Sequence, residues 1–145
     1  MNEIVCRLAG PADTGAMLRI DEYAQISTRR ADDIAVAISA KECIVAQDGA
    51  DVVGYLVFDH GFYGNGFVSA IVVAHEQRRH GVGLHLLHEA ELRCRTPKLF
   101  TSATSSNAAA GHLFERAGFV RSGVIENLEV GDPELVYFKR VGVKP

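Results

Sequence analysis

The residues with the most legible chemistry lie in one run, Gln77-Arg78-Arg79-His80-Gly81-Val82-Gly83-Leu84. Arg78, Arg79 and His80 supply positive charge. Gly81 and Gly83 lack the Cβ atoms that would hold a bulky anion off the main chain. If a helix starts here, its first N–H groups and the positive end of its dipole converge on the same point. Such a turn suits a phosphate or pyrophosphate. A second run, Asn107-Ala-Ala-Ala-Gly-His-Leu-Phe114-Glu-Arg-Ala-Gly118-Phe119, opens on a helix-start residue and closes on a glycine. Metal chemistry finds less support. His85 and His88 stand three apart and could share a helix face. A zinc site needs three or four protein ligands, and no acidic or cysteine partner stands at ligand spacing. These histidines read as a solvated face.

Positioning this turn requires a strand before it and a helix after it. Phe67-Val68-Ser69-Ala70-Ile71-Val72-Val73-Ala74 is uncharged and rich in β-branched residues, as a buried strand is. Leu84 to Cys94 carries Leu84, Leu86, Leu87, Ala90 and Cys94 at helical spacing. A dinucleotide-binding fold would also place a glycine-rich turn here. It needs Gly-x-Gly-x-x-Gly, whereas Gly81-Val82-Gly83 is followed by Leu84-His85-Leu86. It also expects an acid ending the next strand, and Leu99 to Thr104 has none.

Together these runs resemble the GNAT superfamily of acetyl-CoA-dependent N-acetyltransferases. Ile71-Val72-Val73 followed by Arg78-x-x-Gly81-x-Gly83 is similar to that family's pyrophosphate motif, and Asn107…Leu113-Phe114-Glu115-Arg116-x-Gly118-Phe119 to its second motif. The resemblance implies an α/β (α+β) fold. Its mixed, mostly antiparallel sheet would have about six to seven strands with about four helices, splayed between the fourth and fifth strands. It implies a single domain over residues 1–145, with acetyl-CoA as cosubstrate and no metal. Ile71 and Val73 would pair with pantetheine through their backbone. Arg78, Arg79, His80, Gly81, Val82, Gly83 and Leu84 would take the pyrophosphate. Asn107 would hold the pantetheine arm, and Phe114 would wall the thiol. The acceptor would be the amine of a small molecule, or of a peptide N-terminus. A CoA-binding regulatory domain with weak catalysis is the alternative.

The catalytic half departs from the family. Phe114 stands where many members carry an acidic Tyr, and Gly66 falls near a strand position that often supplies a Glu base. Candidates for proton handling are Tyr23, Ser69, Glu126 and Tyr137, with Glu22 beside Tyr23. Each also has an ordinary structural reading: helix face for Glu22 and Tyr23, strand polarity for Ser69, a solvated hairpin for Glu126, sheet packing for Tyr137.

The rest of the chain supplies strands and helices around this centre. Glu3–Leu8 reads as a strand, Ala16–Tyr23 and Ala31–Ile38 as helices. Asp48-Gly49 turns a hairpin between runs starting at Cys43 and Val52. His60 to Gly66, with three glycines, reads as a loop. Lys98–Thr104, Val120–Asn127 and Glu134–Arg140 read as strands. At 145 residues, 48% hydrophobic and net charge −3, the chain can bury a core and presents no field for nucleic acid or an anionic membrane. No apolar run approaches a membrane span, and the start does not read as a signal peptide. Cys6, Cys43 and Cys94 sit among apolar residues as reduced thiols, which suits a cytoplasmic protein. A homodimer is compatible with all of this.

Overall fold

The computed structural model describes residues 3–22, 27, 29–78 and 80–142. Seven strands form one mixed sheet: β1 (Ile4–Leu8), β2 (Cys43–Asp48), β3 (Asp51–Phe62), β4 (Asn65–Val73), β5 (Lys98–Thr104), β6 (Val120–Ile125) and β7 (Glu134–Arg140). Their spatial order is β1-β2-β3-β4-β5-β7-β6. Among the described residues four α-helices accompany them: α1 (Thr14–Ile20), α2 (Arg29–Ser39), α3 (Val82–Arg93) and α4 (Ala108–Arg116). β4 and β5 pair in parallel, and β1–β2, β2–β3, β5–β7 and β6–β7 are antiparallel. The parallel pairing covers three residues, Gly66↔Leu99, Phe67↔Phe100 and Val68↔Thr101. At its end the Thr101 hydroxyl donates to the Val68 carbonyl at 3.0 Å.

The residues group into two compact units, Met1–Phe58 with Ala70–Ala90, and Asp59–Ser69 with Glu91–Pro145. In the first, Met17, Ile34, Ala37, Cys43, Val45 and Tyr55 form a buried cluster under α1 and α2. Residues alternate faces along a strand, so Gly54 lies on the side opposite Tyr55. There it meets α3. A Cβ on Gly54 would sit 2.9 Å from Val82 Cγ1, 3.0 Å from the Val72 carbonyl and 3.1 Å from Leu86 Cδ1. The missing side chain therefore sets how closely the start of α3 lies on the sheet.

In the second unit Phe67, Phe62, Phe100 and Phe138 form a chain of ring contacts from β4, β3, β5 and β7, with successive centroids 4.8–5.8 Å apart. Phe114 of α4 packs on Phe119 and edge-on against Tyr137. Lys139 ties this unit together, reaching Glu91 at 2.9 Å and the Ala117 carbonyl at the end of α4 at 2.8 Å.

Several expectations change. His60 to Gly66 is not a loop: β3 runs to Phe62, β4 starts at Asn65, and only Tyr63-Gly64 turns. Both turn residues have positive φ, +51° and +77°, the requirement of the two-residue hairpin whose twist matches its strands. Gly66 belongs to the strand, where a Cβ would fall 2.6 Å from Cys94 Sγ. The β2–β3 turn is also tighter, because Asp48 pairs with Asp51 and only Gly49-Ala50 lies between. A bulge near Val53 breaks the register of that hairpin. Helix α1 starts and stops earlier than its apolar pattern suggests, since extended Asp21 ends it. Helix α2 starts two residues earlier, at Arg29.

Candidate active site

The first unit presents the strand, turn and helix that the motif requires. β4 ends at Val73 and leads through a 3-10 turn, His75–Gln77, to Gly81 and then α3. Gly81 has φ +84°, a conformation costly for any residue with a Cβ, and nothing stands within 4 Å of where a Cβ would be. Its carbonyl accepts the His85 N–H at 3.1 Å, closing the first turn of α3. The N–H groups of Val82, Gly83 and Leu84 precede that bond and have no partner within the helix. Val82 and Gly83 are buried and anchor this end, while His80 is exposed. Gly83 thus lies inside the helix rather than in the turn. Arg78 is half-exposed and pairs with Glu22 at 3.2 Å, its guanidinium also 3.3 Å from His75 Nδ1. So exposed a pair is weak and easily exchanged for a ligand anion. Ile71 and Val73 are half-buried in β4. Arg79 lies outside the described residues, as does Tyr23.

Behind this turn the same unit holds a polar network. Asp21 is 2% exposed, and its Oδ2 accepts from the Tyr55 hydroxyl and pairs with Arg30 Nε at 3.1 Å. Burial first, then the Asp21 hydrogen bond, pushes the Tyr55 phenol far above its usual value. Nothing local in the sequence signals the network, since Asp21 and Tyr55 stand 34 positions apart. At the start of α1, Asp13 takes both Arg7 Nη atoms at 2.8 Å and the Gly10 N–H at 2.8 Å. The Arg7 bonds hold its carboxyl below the usual range.

In the second unit Asn107 caps α4, its Oδ1 accepting the Ala110 N–H at 3.1 Å. Its Nδ2 has no partner among the described residues. Phe114 is 1% exposed. Tyr137 is buried beside it, with ring centroids 5.3 Å apart, and its hydroxyl lies 3.0 Å from where a Cβ on Gly111 would be. That hydroxyl makes no hydrogen bond among the described residues. Ser69 and Glu126 are exposed. Ser105 and Ser106 bond Asp132 at 2.5–3.0 Å and hold its carboxyl low.

His85 and His88 are exposed on α3, and among the described residues no group of three His, Cys, Asp or Glu could hold a metal. Cys6, Cys43 and Cys94 are free thiols. Burial raises Cys6 to about 11, with Glu89 contributing, and Cys43 to about 12, with Asp13 contributing. Neither is a ready nucleophile. Among the described residues no helix is long and apolar enough to cross a membrane.

An uncharged strand, a glycine at positive φ, and a helix whose first amides have no partner within the helix make a turn that suits a phosphate. The chain matches the Acetyltransferase (GNAT) family over residues 14–119 and belongs to that family, which makes it an acyltransferase. A crystal structure of a GNAT-family acetyltransferase from Bacillus cereus ATCC 10987 is 28% identical, with a TM-score of 0.91 over 97% of this chain and 99% of its own. YncA of Salmonella typhimurium, solved with its cofactor acetyl-CoA, is 19% identical with a TM-score of 0.79, covering 99% of this chain and 96% of its own. Nourseothricin acetyltransferase is 28% identical with a TM-score of 0.62, covering 69% of this chain and 65% of its own. No curated protein sequence matches the chain.

Proposed function

We propose that this protein transfers the acetyl group of acetyl-CoA to the amine of a small molecule. The observation that carries the reading is the start of α3: Gly81 at φ +84°, nothing within 4 Å of where its Cβ would be, and three amides with no partner within the helix. The pyrophosphate binds those amides, and the side chains of Arg78, Arg79 and His80 assist. The backbone of Ile71 and Val73 takes the pantetheine amides. Asn107 keeps Nδ2 for a ligand. Likeness to nourseothricin acetyltransferase supports a small-molecule acceptor.

The acceptor amine must be neutral to attack the thioester carbonyl. It bonds to that carbon, the C–S bond breaks, and the proton leaves nitrogen while the sulfur departs as thiolate or thiol. With Phe114 buried and unable to donate, the Tyr137 hydroxyl is our candidate donor to the departing sulfur. It makes no hydrogen bond among the described residues, and the edge contact of its ring with Phe114 limits where it can point. A proton donor typically contributes about 10²–10⁴-fold.

Calorimetry with acetyl-CoA, followed by CoA release with a panel of small amines and peptides, tests the reading. Binding and turnover with small amines are expected. A folded protein that ignores acetyl-CoA refutes the site, and binding without turnover would identify a CoA-sensing domain. Tyr137→Phe should lower kcat about 10²-fold or more with acetyl-CoA binding intact; unchanged kcat removes Tyr137 from the chemistry.

A further inference from the structure

The last strand in the sheet order, β6, is exposed along its whole length. Of the large apolar residues exposed among the described residues, Val120, Val124, Ile125, Leu128 and Val130 crowd into this strand and the turn after it. Edge strands are usually blunted by proline, lysine or a covering element, because their free N–H and C=O groups template further pairing. β6 contains neither proline nor lysine. Its one charged residue, Arg121, makes no ion pair among the described residues, and neither does Glu126 just beyond the strand.

The register with β7 decides what this edge can pair with. Arg121 lies opposite Tyr137 and Val124 opposite Leu135, while Gly123 lies opposite Val136 and Ile125 opposite Glu134. Directly opposed residues share a face. Arg121 and Val124 therefore share one face, although three positions apart, because a bulge at Ser122 absorbs one residue. Gly123 and Ile125 share the other. Continued alternation puts Glu126 on the face of Arg121 and Val124.

We propose that β6 pairs antiparallel with β6 of a second copy of this chain, about a two-fold axis through Val124. Such an axis keeps each face on its own side, so only residues of like face can oppose one another. Centred on Val124, the pairing sets Val124 against the partner's Val124, and Gly123 against the partner's Ile125. Arg121 then faces the partner's Glu126, and the symmetry repeats that ion pair. Without the bulge, Arg121 and Glu126 would lie on opposite faces and could not meet. The bulge, the two unpaired charges and the apolar centre thus agree on one self-complementary register. This inference is independent of the cofactor and of the acceptor.

Sedimentation equilibrium of the full chain tests it. The wild type should be a dimer, and Val124→Lys should be a folded monomer, since it opposes two ammonium groups at the axis. Arg121→Glu and Glu126→Arg should each raise the dimer dissociation constant at least ~10-fold, because each sets like charges against one another. Combining both substitutions in one chain restores opposite charges and should recover most of the loss. Circular dichroism melts check folding, which these exposed positions should leave intact. A wild type that stays monomeric at the highest concentration reached overturns the proposal. So does a dimer that Val124→Lys leaves whole, or a combined variant no tighter than either single one, results pointing to a different face or a different occupant for the edge.

Discussion

Replacing Gly54 with alanine should damage both stability and cofactor binding. The new Cβ would stand 2.9 Å from Val82 Cγ1, 3.0 Å from the Val72 carbonyl and 3.1 Å from Leu86 Cδ1. Carbon contacts are comfortable near 3.5–4.0 Å, so the strand and helix must part by roughly half an ångström. A side chain could rotate away, but the Val72 carbonyl is main chain in the strand proposed to bind pantetheine. Overpacking of this kind costs about 1–3 kcal/mol. In a domain near this size about 1 kcal/mol corresponds to roughly 2–4 °C, so the melting temperature should fall by about 2–12 °C. The amides of Val82 and Gly83 move with the helix. Loosening one charge-assisted hydrogen bond, worth about 1.5–3 kcal/mol, should weaken acetyl-CoA binding about tenfold or more. Thermal melts and calorimetry of the same preparation read both effects. Gly10→Ala is the control, because nothing lies within 4 Å of its added Cβ. A Gly54→Ala protein with unchanged melting and unchanged affinity would refute the close-approach argument. One that melts lower but binds acetyl-CoA normally would place the phosphate site away from α3.

Gly81→Val forces a β-branched residue to φ +84° and crowds the phosphate cradle, so calorimetry should show acetyl-CoA affinity lowered about tenfold or more. Tyr55→Phe removes the donor to buried Asp21 and should cost about 1–3 kcal/mol in denaturant unfolding. His60 accepts the Arg95 N–H at Nε2, and burial, with Arg95 contributing, lowers its pKa. The unfolded chain thus takes the proton more readily. This contribution to stability is present above about pH 6.5 and is lost as pH falls through the lower folded value. His60→Gln should flatten the dependence of melting temperature on pH below that point.

The strand, turn and helix around Gly81 were legible because their signals are local. A β-branched run, two glycines and a 3.6-residue repeat lie within about two dozen positions. The loop expected at His60–Gly66 misled for the same reason. Three glycines in a short run suggest irregular chain, whereas Gly61 and Gly66 lie in strands and Tyr63 accepts a left-handed conformation. The Asp21–Tyr55–Arg30 network left no local trace, because its members meet only when α1, α2 and β3 fold together. Tyr137 was visible as a tyrosine at a strand position, but only the structure shows that its hydroxyl has no partner among the described residues. In β6 the apolar pattern identified a strand and could not show that both faces meet solvent.

The chain's thiols give it a practical property. Burial pushes the Cys6 thiol up to about 11 and the Cys43 thiol up to about 12, so both stay protonated at neutral pH. Cys94 is 1% exposed, with Sγ 3.4 Å from the Thr96 carbonyl. A maleimide dye therefore meets almost no competition from the native side chains. A cysteine placed at Tyr63, which stands 91% exposed at the tip of its hairpin, would be tagged selectively in the otherwise native sequence. Fluorescence or spin-label reporters could then follow ligand binding without first removing any of the three natural cysteines.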